Sequence, residues 1–264
     1  MDNIPKDEED CIMKLIVETM RKQPIISGFA MLLVIAVGGS VHAQRAAQPS
    51  VGPLIAGFRT VEVPSVADAI EQLYGTKSYM YHDMRPLFKT KFAGPAVTVF
   101  LKKEEHREGA PASQAMIDAI DTAPAGAVYV LVTEDGLDYG TVGGLMVTAM
   151  KYRGLAGAVV DGGIRDLPQI QRVQFPIYSR GVSPGTTIGH YRASFNVPVT
   201  CAGVKVNPND FISADEDGVV VIPREKAAEI LKKAQELDYN EHVTATWIEK
   251  LKSLSQAVAK LGRI

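Results

Sequence analysis

Two apolar runs, residues 127–132 (AVYVLV) and 156–160 (AGAVV), bracket the stretch that most narrows what this chain can become. Each is continuously hydrophobic rather than alternating, the pattern of a strand covered on both faces. Between them, residues 145–153 repeat on a helical period, with Leu145, Ala149 and Tyr152 on one face and Gly154 as the stop. Strand, short helix, strand is a βαβ unit, so the two strands are expected to be parallel and adjacent. Their carboxyl ends then lie on one edge, and ligands bind on that edge in open α/β sheets.

The rest of the chain supplies further short elements. Ser65, with Asp68 three residues on, predicts a capped amphipathic helix over 66–73 that ends near Gly75. Residues 93–101 read as a strand, 113–120 as a helix, 177–180 and 199–206 as strands, and 219–222 as a strand stopped by Pro223. Two helices are expected over 224–237 and 241–260. Residues 44–58 open with an Ala/Gln/Pro-rich stretch and read as a linker. The expectation is one compact α/β domain over 59–264, many-stranded and closed by a helical tail.

The first 43 residues read as a leader outside that domain. Met20-Arg21-Lys22 is a basic start, residues 25–37 are almost wholly apolar, and Val41-His42-Ala43 places small residues where a signal peptidase reads. Met20 is thus the expected true start, with cleavage before Gln44 and export to the periplasm or beyond. A cytoplasmic location is the alternative. After cleavage no stable membrane span is expected; uncleaved, the apolar run is borderline against the roughly 20 residues a span needs, and a membrane anchor or a buried helix is the other reading.

Several chemistries are disfavoured. The formal charge of −2 gives no reason to expect a nucleic-acid partner. Cys11 and Cys201 form no metal-ligand pair, Cys201 reads as a small buried apolar residue, and the five histidines show no HxxxH spacing. There is no GxGxxG or Walker-type loop and no Gly-rich methyl-donor loop. Lys151 and Lys205 are candidates for Schiff-base chemistry by position only, and Glu104, Glu105 and Glu108 fall in a charge run that reads as a solvated loop.

The residues that carry chemistry lie in the loops of the βαβ unit. Asp161-Gly162-Gly163-Ile164-Arg165-Asp166 follows the second buried strand. Asp166 is a hard oxygen donor suited to magnesium or manganese. Arg165 is a permanent cation able to grip a carboxylate or steady an oxyanion. Gly143-Gly144 precedes the 145–153 helix, whose first backbone N–H groups have no intrahelical partner and form an anion site with the helix dipole. Together they predict a pocket for a small carboxylate beside a metal ion.

The run from Gly143-Gly144-Leu145-Met146 through Arg153-Gly154 to Asp161-Gly162-Gly163-Ile164-Arg165-Asp166 resembles the signature of the RraA-like family, which includes 4-hydroxy-4-methyl-2-oxoglutarate aldolases. Phe92-Ala93-Gly94-Pro95-Ala96-Val97-Thr98-Val99 and residues 215–223 support the resemblance, which spans about 60–245. It implies a swivelling β/β/α-type domain, assembled as a homotrimer or hexamer with the site between subunits. It implies a divalent metal, Mg²⁺ or Mn²⁺, held by Asp166, and a small oxo-acid substrate. Arg165 would contact the pyruvate moiety, and the amides of Gly144, Leu145 and Met146 would receive its carboxylate. Glu241 would be offered to the metal from a neighbouring subunit. The implied activity is that of a lyase, by retro-aldol cleavage or oxaloacetate decarboxylation. Some family members instead inhibit an RNA-degrading endonuclease and lack the Arg–Asp pair, so a non-catalytic binding or regulatory protein is the alternative. In the family's aldolases an aspartate that orders metal-bound water stands where this chain has Gly144.

Overall fold

The computed structural model describes residues 51–109 and 113–261. The expected signal peptide, its cleavage site and residues 44–50 of the expected linker lie outside them. The described residues begin with a helix, α1 (Val51–Thr60), where a linker running to 58 was expected. Leu54 and Phe58, one turn apart, are both buried, and burying such side chains stabilises by roughly 1.5–3 kcal/mol each. Helix α2 (Val63–Tyr74) follows. It begins earlier than the capping pattern suggested: Glu62 is its N-cap, Pro64 supplies the first turn, and Ser65 is buried inside it. Gly75 ends it in the left-handed region at φ 63°.

The sheet is built from β1 (Arg85–Pro86), β2 (Phe92–Lys103), β3 (Val128–Thr133), β4 (Gly140–Val142), β5 (Gly157–Ile164), β6 (Ile177–Val182), β7 (Tyr191–Phe195), β10 (Phe211–Asp215) and β11 (Gly218–Ile222). Its order is β1-β6-β5-β3-β2-β10-β11, with β4 extending β5 and β7 extending β2. Strands β2, β3, β5 and β6 are mutually parallel, as the βαβ reading requires, while β10 and β11 add an antiparallel hairpin. Helices α3 (Gln114–Asp121) and α4 (Gly144–Tyr152) are the crossovers into β3 and β5, and α5 (Leu167–Val173) leads to β6.

Alternation along the strands divides the interior. Tyr129 and Leu131 of β3 face the helices with Met116, Val147 and Ile170. Val128 and Val130 face the other way, onto Phe92, Tyr178 and Cys201. A third cluster joins α1 and α2 to β10, β11 and the start of the last long helix through Phe58, Phe211 and Ile230.

Three sequence expectations change here. Residues 199–206 are not one strand but a small hairpin, β8 (Val199–Cys201) and β9 (Val204–Val206), turned by Ala202 and Gly203 at φ 42° and 84°. Both turn residues have positive φ, as a tight two-residue hairpin of the primed type demands. Strand β5 runs on through Asp161-Gly162-Gly163 instead of ending at 160. A methyl at Gly163 would sit 2.6 Å from the Tyr139 carbonyl oxygen, so this glycine admits the loop before β4. The tail is one unbroken helix, α6 (Ala227–Leu251), after a short 3₁₀ turn (Arg224–Lys226), followed by α7 (Leu254–Leu261). The break falls at Lys252, at φ 51°, rather than near 238–240. Across that stretch Asp238 accepts a hydrogen bond from the Glu62 N–H at 3.0 Å, tying the continuous helix to the start of α2.

Candidate active site

Arg165 and Asp166 join the end of β5 to α5, and local backbone geometry aims both of them. Asp166 adopts φ 62°, ψ 40°, a left-handed conformation that Asp tolerates better than most residues. That turn swings its carboxylate back toward α4. Its Oδ2 accepts a hydrogen bond from the Gly144 N–H at 2.9 Å, and Arg165 Nε lies 3.8 Å from the same oxygen. Arg165 is held in turn by its own N–H, which donates to Val142 O at 3.0 Å. Its guanidinium reaches Gly185 O at 3.4 Å, the long limit of a hydrogen bond.

Glycines make the room. A methyl at Gly143 would lie 2.7 Å from Asp166 Oδ2, and one at Gly140 would lie 2.9 Å from Arg165 Cβ. Gly143 is the N-cap of α4 and has no side chain with which to cap it. Gly144 gives its amide to Asp166, so Leu145 and Met146 carry the next two N–H groups without intrahelical partners. Leu145, Met146, Arg165 and Asp166 all border one cavity of about 390 Å³. Gly144, the fourth expected substrate contact, is buried beneath it with its N–H already engaged.

Sequence proximity misleads for Asp161. It points to the opposite face of β5, where Arg180 donates to its Oδ1 at 3.1 Å and to Asp83 Oδ2 at 2.7 and 2.8 Å. Its Oδ2 accepts the Ala202 N–H, so this carboxylate fastens the β8–β9 hairpin to the sheet. The Arg180 guanidinium holds the Asp83 carboxyl below its usual range. Glu241 is exposed on α6 and is absent from the cavity wall of its own chain. Lys151 and Lys205 are exposed, while Cys201 is fully buried, its thiol pushed up by desolvation.

Two features escaped the sequence reading. The first is the apolar part of the cavity lining, to which α3 contributes Met116, Ile117 and Ile120 beside Ile188 and Tyr191. Burial pushes the Tyr191 hydroxyl up to about 12, so it remains neutral at ordinary pH. The second is Gln169 on α5. A methyl at Gly144 would meet its Cγ at 2.6 Å and its Cβ at 2.8 Å. Gln169 thus fills the space in front of Gly144, with its amide donating to Thr148 Oγ1 at 3.2 Å. Pro168, just after Leu167, was the available cue that a helix begins here.

Comparison with known proteins settles the lineage. The family model RraA-like (Aldolase/RraA) matches residues 63–221, from α2 to the last strand of the sheet. The chain belongs to this family. This RraA-like protein is 31% identical over 182 residues to a Halalkalibacterium halodurans protein provisionally named 4-hydroxy-4-methyl-2-oxoglutarate aldolase, covering 69% of this chain and 81% of that one. It is 31% identical over 100 residues to the 4-hydroxy-4-methyl-2-oxoglutarate aldolase of Thermus thermophilus, covering 37% of this chain and 61% of that one. A solved Streptomyces coelicolor structure, described as an unusual member of the RNase ES inhibitor RraA protein family, superposes with a TM-score of 0.65 at 29% identity. That match covers 72% of this chain and 94% of the other. The mixed α/β domain with its C-terminal helices is the RraA-like fold.

Proposed function

We propose that this RraA-like chain is a divalent-metal-dependent lyase that breaks a carbon–carbon bond in a pyruvate-containing oxo acid. The observation that carries the reading is the convergence of Asp166, Arg165 and the start of α4 on one cavity. The aldolase names of its relatives agree with it.

The donor set fits a magnesium-type ion. Among the described residues there is no group of three His, Cys, Asp or Glu side chains that would cage a metal. Mg²⁺ does not need one: it keeps several waters and takes one or two carboxylates plus substrate oxygens. Asp166 is such a carboxylate, with Oδ2 steadied by Gly144 N–H and Oδ1 left to ligate. Bound there, the ion supplies Lewis acidity toward the 2-oxo group.

The chain's own residues do the rest. The Leu145 and Met146 amides offer two donors to the substrate carboxylate, strengthened by the helix dipole. Arg165 stands beside Asp166, where a guanidinium neutralises the charge that grows on the 2-oxo oxygen as the bond breaks. The same placement serves retro-aldol cleavage and decarboxylation, because both leave an enolate of pyruvate.

Leu145 and Tyr152, 86% and 85% exposed, present an apolar face on α4 that suits subunit contact. The proposal therefore includes a homotrimer or hexamer, with Glu241 offered across an interface. Light scattering on the purified chain tests the assembly. Export rests on the sequence alone, and N-terminal sequencing of secreted material tests it. A second reading, a regulator that binds another protein, draws on the same exposed face and on Gly144.

The deciding experiment supplies Mg²⁺ or Mn²⁺ with a panel of oxaloacetate and 4-hydroxy-2-oxo acids and measures pyruvate above the uncatalysed rate. Metal-dependent release that Asp166→Asn abolishes supports the lyase. No release from any member, with the chain folded, defeats it.

A further inference from the structure

We infer that Thr148 and Gln169 are positioning residues of the anion site, which strengthen the Leu145 amide as a donor to the substrate carboxylate. The inference rests on the reading above that a carboxylate binds at the start of α4, and it adds how that site is tuned. It follows from the direction of three hydrogen bonds that lead from Arg172 of α5 to the start of α4. Arg172 carries donors and no acceptor, so its guanidinium meets the side-chain oxygen of Gln169, Oε1. The Gln169 nitrogen, Nε2, is thereby turned toward α4, where it donates to Thr148 Oγ1 at 3.2 Å. Thr148 accepts with its oxygen and gives its own hydrogen to Gly144 O, 2.7 Å away. Every donor points from the cation toward the same peptide.

That peptide is the one a ligand would meet. The Gly144 carbonyl and the Leu145 N–H belong to a single planar, resonant unit. Bonds donated to its oxygen draw electron density from its nitrogen, and the hydrogen there becomes a better donor. Leu145 N–H has no intrahelical partner, and Leu145 borders the cavity. The Gly144 N–H lies on the preceding peptide and is spent on Asp166, so the relay bears on the carboxylate site and not on the metal ligand.

A threonine that bonds the carbonyl four residues earlier is ordinary in a helix. Thr148 differs because the same hydroxyl also accepts from a side chain of another helix, which an arginine orients. The bare backbone at Gly144 lets that side chain approach, since a methyl there would lie 2.6 Å from Gln169 Cγ. Every member of the relay lies on α4 or α5 of one chain, so it is complete whatever a neighbouring subunit adds to the cavity.

The test titrates oxalate calorimetrically into the full chain in the presence of Mg²⁺. Thr148→Val cuts the relay at its last link, and Gln169→Met keeps the length of the side chain without its amide. Oxalate affinity should fall about threefold in Thr148→Val and by less in Gln169→Met, with the double variant no weaker than Thr148→Val. Thr148→Ser, which keeps the hydroxyl, should recover the loss, and binding of Mg²⁺ alone should not change. In turnover the loss should appear in KM with kcat kept, because the carboxylate is held equally before and during bond breaking. Circular dichroism establishes that each variant is folded. Parent-like oxalate affinity in folded Thr148→Val, or losses that add in the double variant, would overturn the inference and leave the lyase standing. The expected binding pattern without pyruvate from any oxo acid would sink the lyase reading and keep the relay. A parent chain that binds no oxalate would end both.

Discussion

The Gly144 amide donates to Asp166 Oδ2 at 2.9 Å, so the first free N–H of one helix anchors the residue that starts the next. This bond ties the two loops at the edge of the βαβ unit into one structure. It also leaves a single carboxylate oxygen of Asp166 for other work.

Asp166→Asn is the cleanest probe of that oxygen. Asn also tolerates the left-handed backbone at φ 62°, and its amide oxygen can still accept from Gly144. The fold should survive while the negative charge is lost. We expect pyruvate release to fall at least about 100-fold, with circular dichroism unchanged. Activity within a factor of two of the parent would remove Asp166 from the machinery.

Restoring the family aspartate should need two changes. Gly144→Asp alone drives its Cβ into Gln169, whose Cβ and Cγ lie too close to swing fully aside, and overpacking of this kind costs about 1–3 kcal/mol. Gly144→Asp with Gln169→Gly, which removes both the Cβ and the Cγ, should recover part of the lost stability and tighten Mg²⁺ binding. Chemical denaturation of the single and double variants, with calorimetric Mg²⁺ titration, measures both effects. Equal stability of the two variants would contradict the steric account.

Arg180 holds two carboxylates, and removing it leaves them facing each other across a partly buried space. Arg180→Met should cost about 2–4 kcal/mol in urea unfolding, a little below the range for fully buried pairs because Asp83 is partly exposed. The loss should lie in the β8–β9 hairpin, and hydrogen exchange at Ala202 would locate it. The folded carboxyl of Asp83 titrates below its unfolded value, so its share of stability is present above about pH 4 and disappears as pH falls further. A parent protein whose acid unfolding matches that of Arg180→Met would speak against this role.

Tyr191 predicts behaviour at the other end of the scale. Its folded value, about 12, lies above the ordinary value of 10.0. The neutral phenol therefore contributes stability that is complete below about pH 10 and declines as pH rises toward 12. Thermal unfolding between pH 8 and 11.5 should fall less steeply for Tyr191→Phe than for the parent. Identical slopes would show that this hydroxyl is not held neutral by burial.

Periodicity and composition made much of this legible. The apolar runs at 127–132 and 156–160 announced parallel strands, because a strand covered on both faces has no polar face to alternate with. The glycines before Leu145 announced a helix start with free amides, and the Arg165–Asp166 pair stood at the edge where the chain must place it. The errors arose where short-range signals were ambiguous. A run such as 199–206 reads as one strand until two positive-φ residues fold it, and the strand read as ending at 160 continues through Asp161 to Ile164.

The sequence by itself determined the βαβ frame, the family signature and the place of Arg165 and Asp166 at the edge of that frame, since each depends on spacing within one stretch of chain. Tertiary structure alone decided the rest. It sent Asp161 to Arg180 because alternate residues of β5 face opposite ways, and it set Gln169 against Gly144 because α4 and α5 pack together. It also brought α3 over the cavity to make an apolar wall that no local pattern connects to Arg165. Such contacts join residues far apart in the chain, and only packing fixes which of them meet.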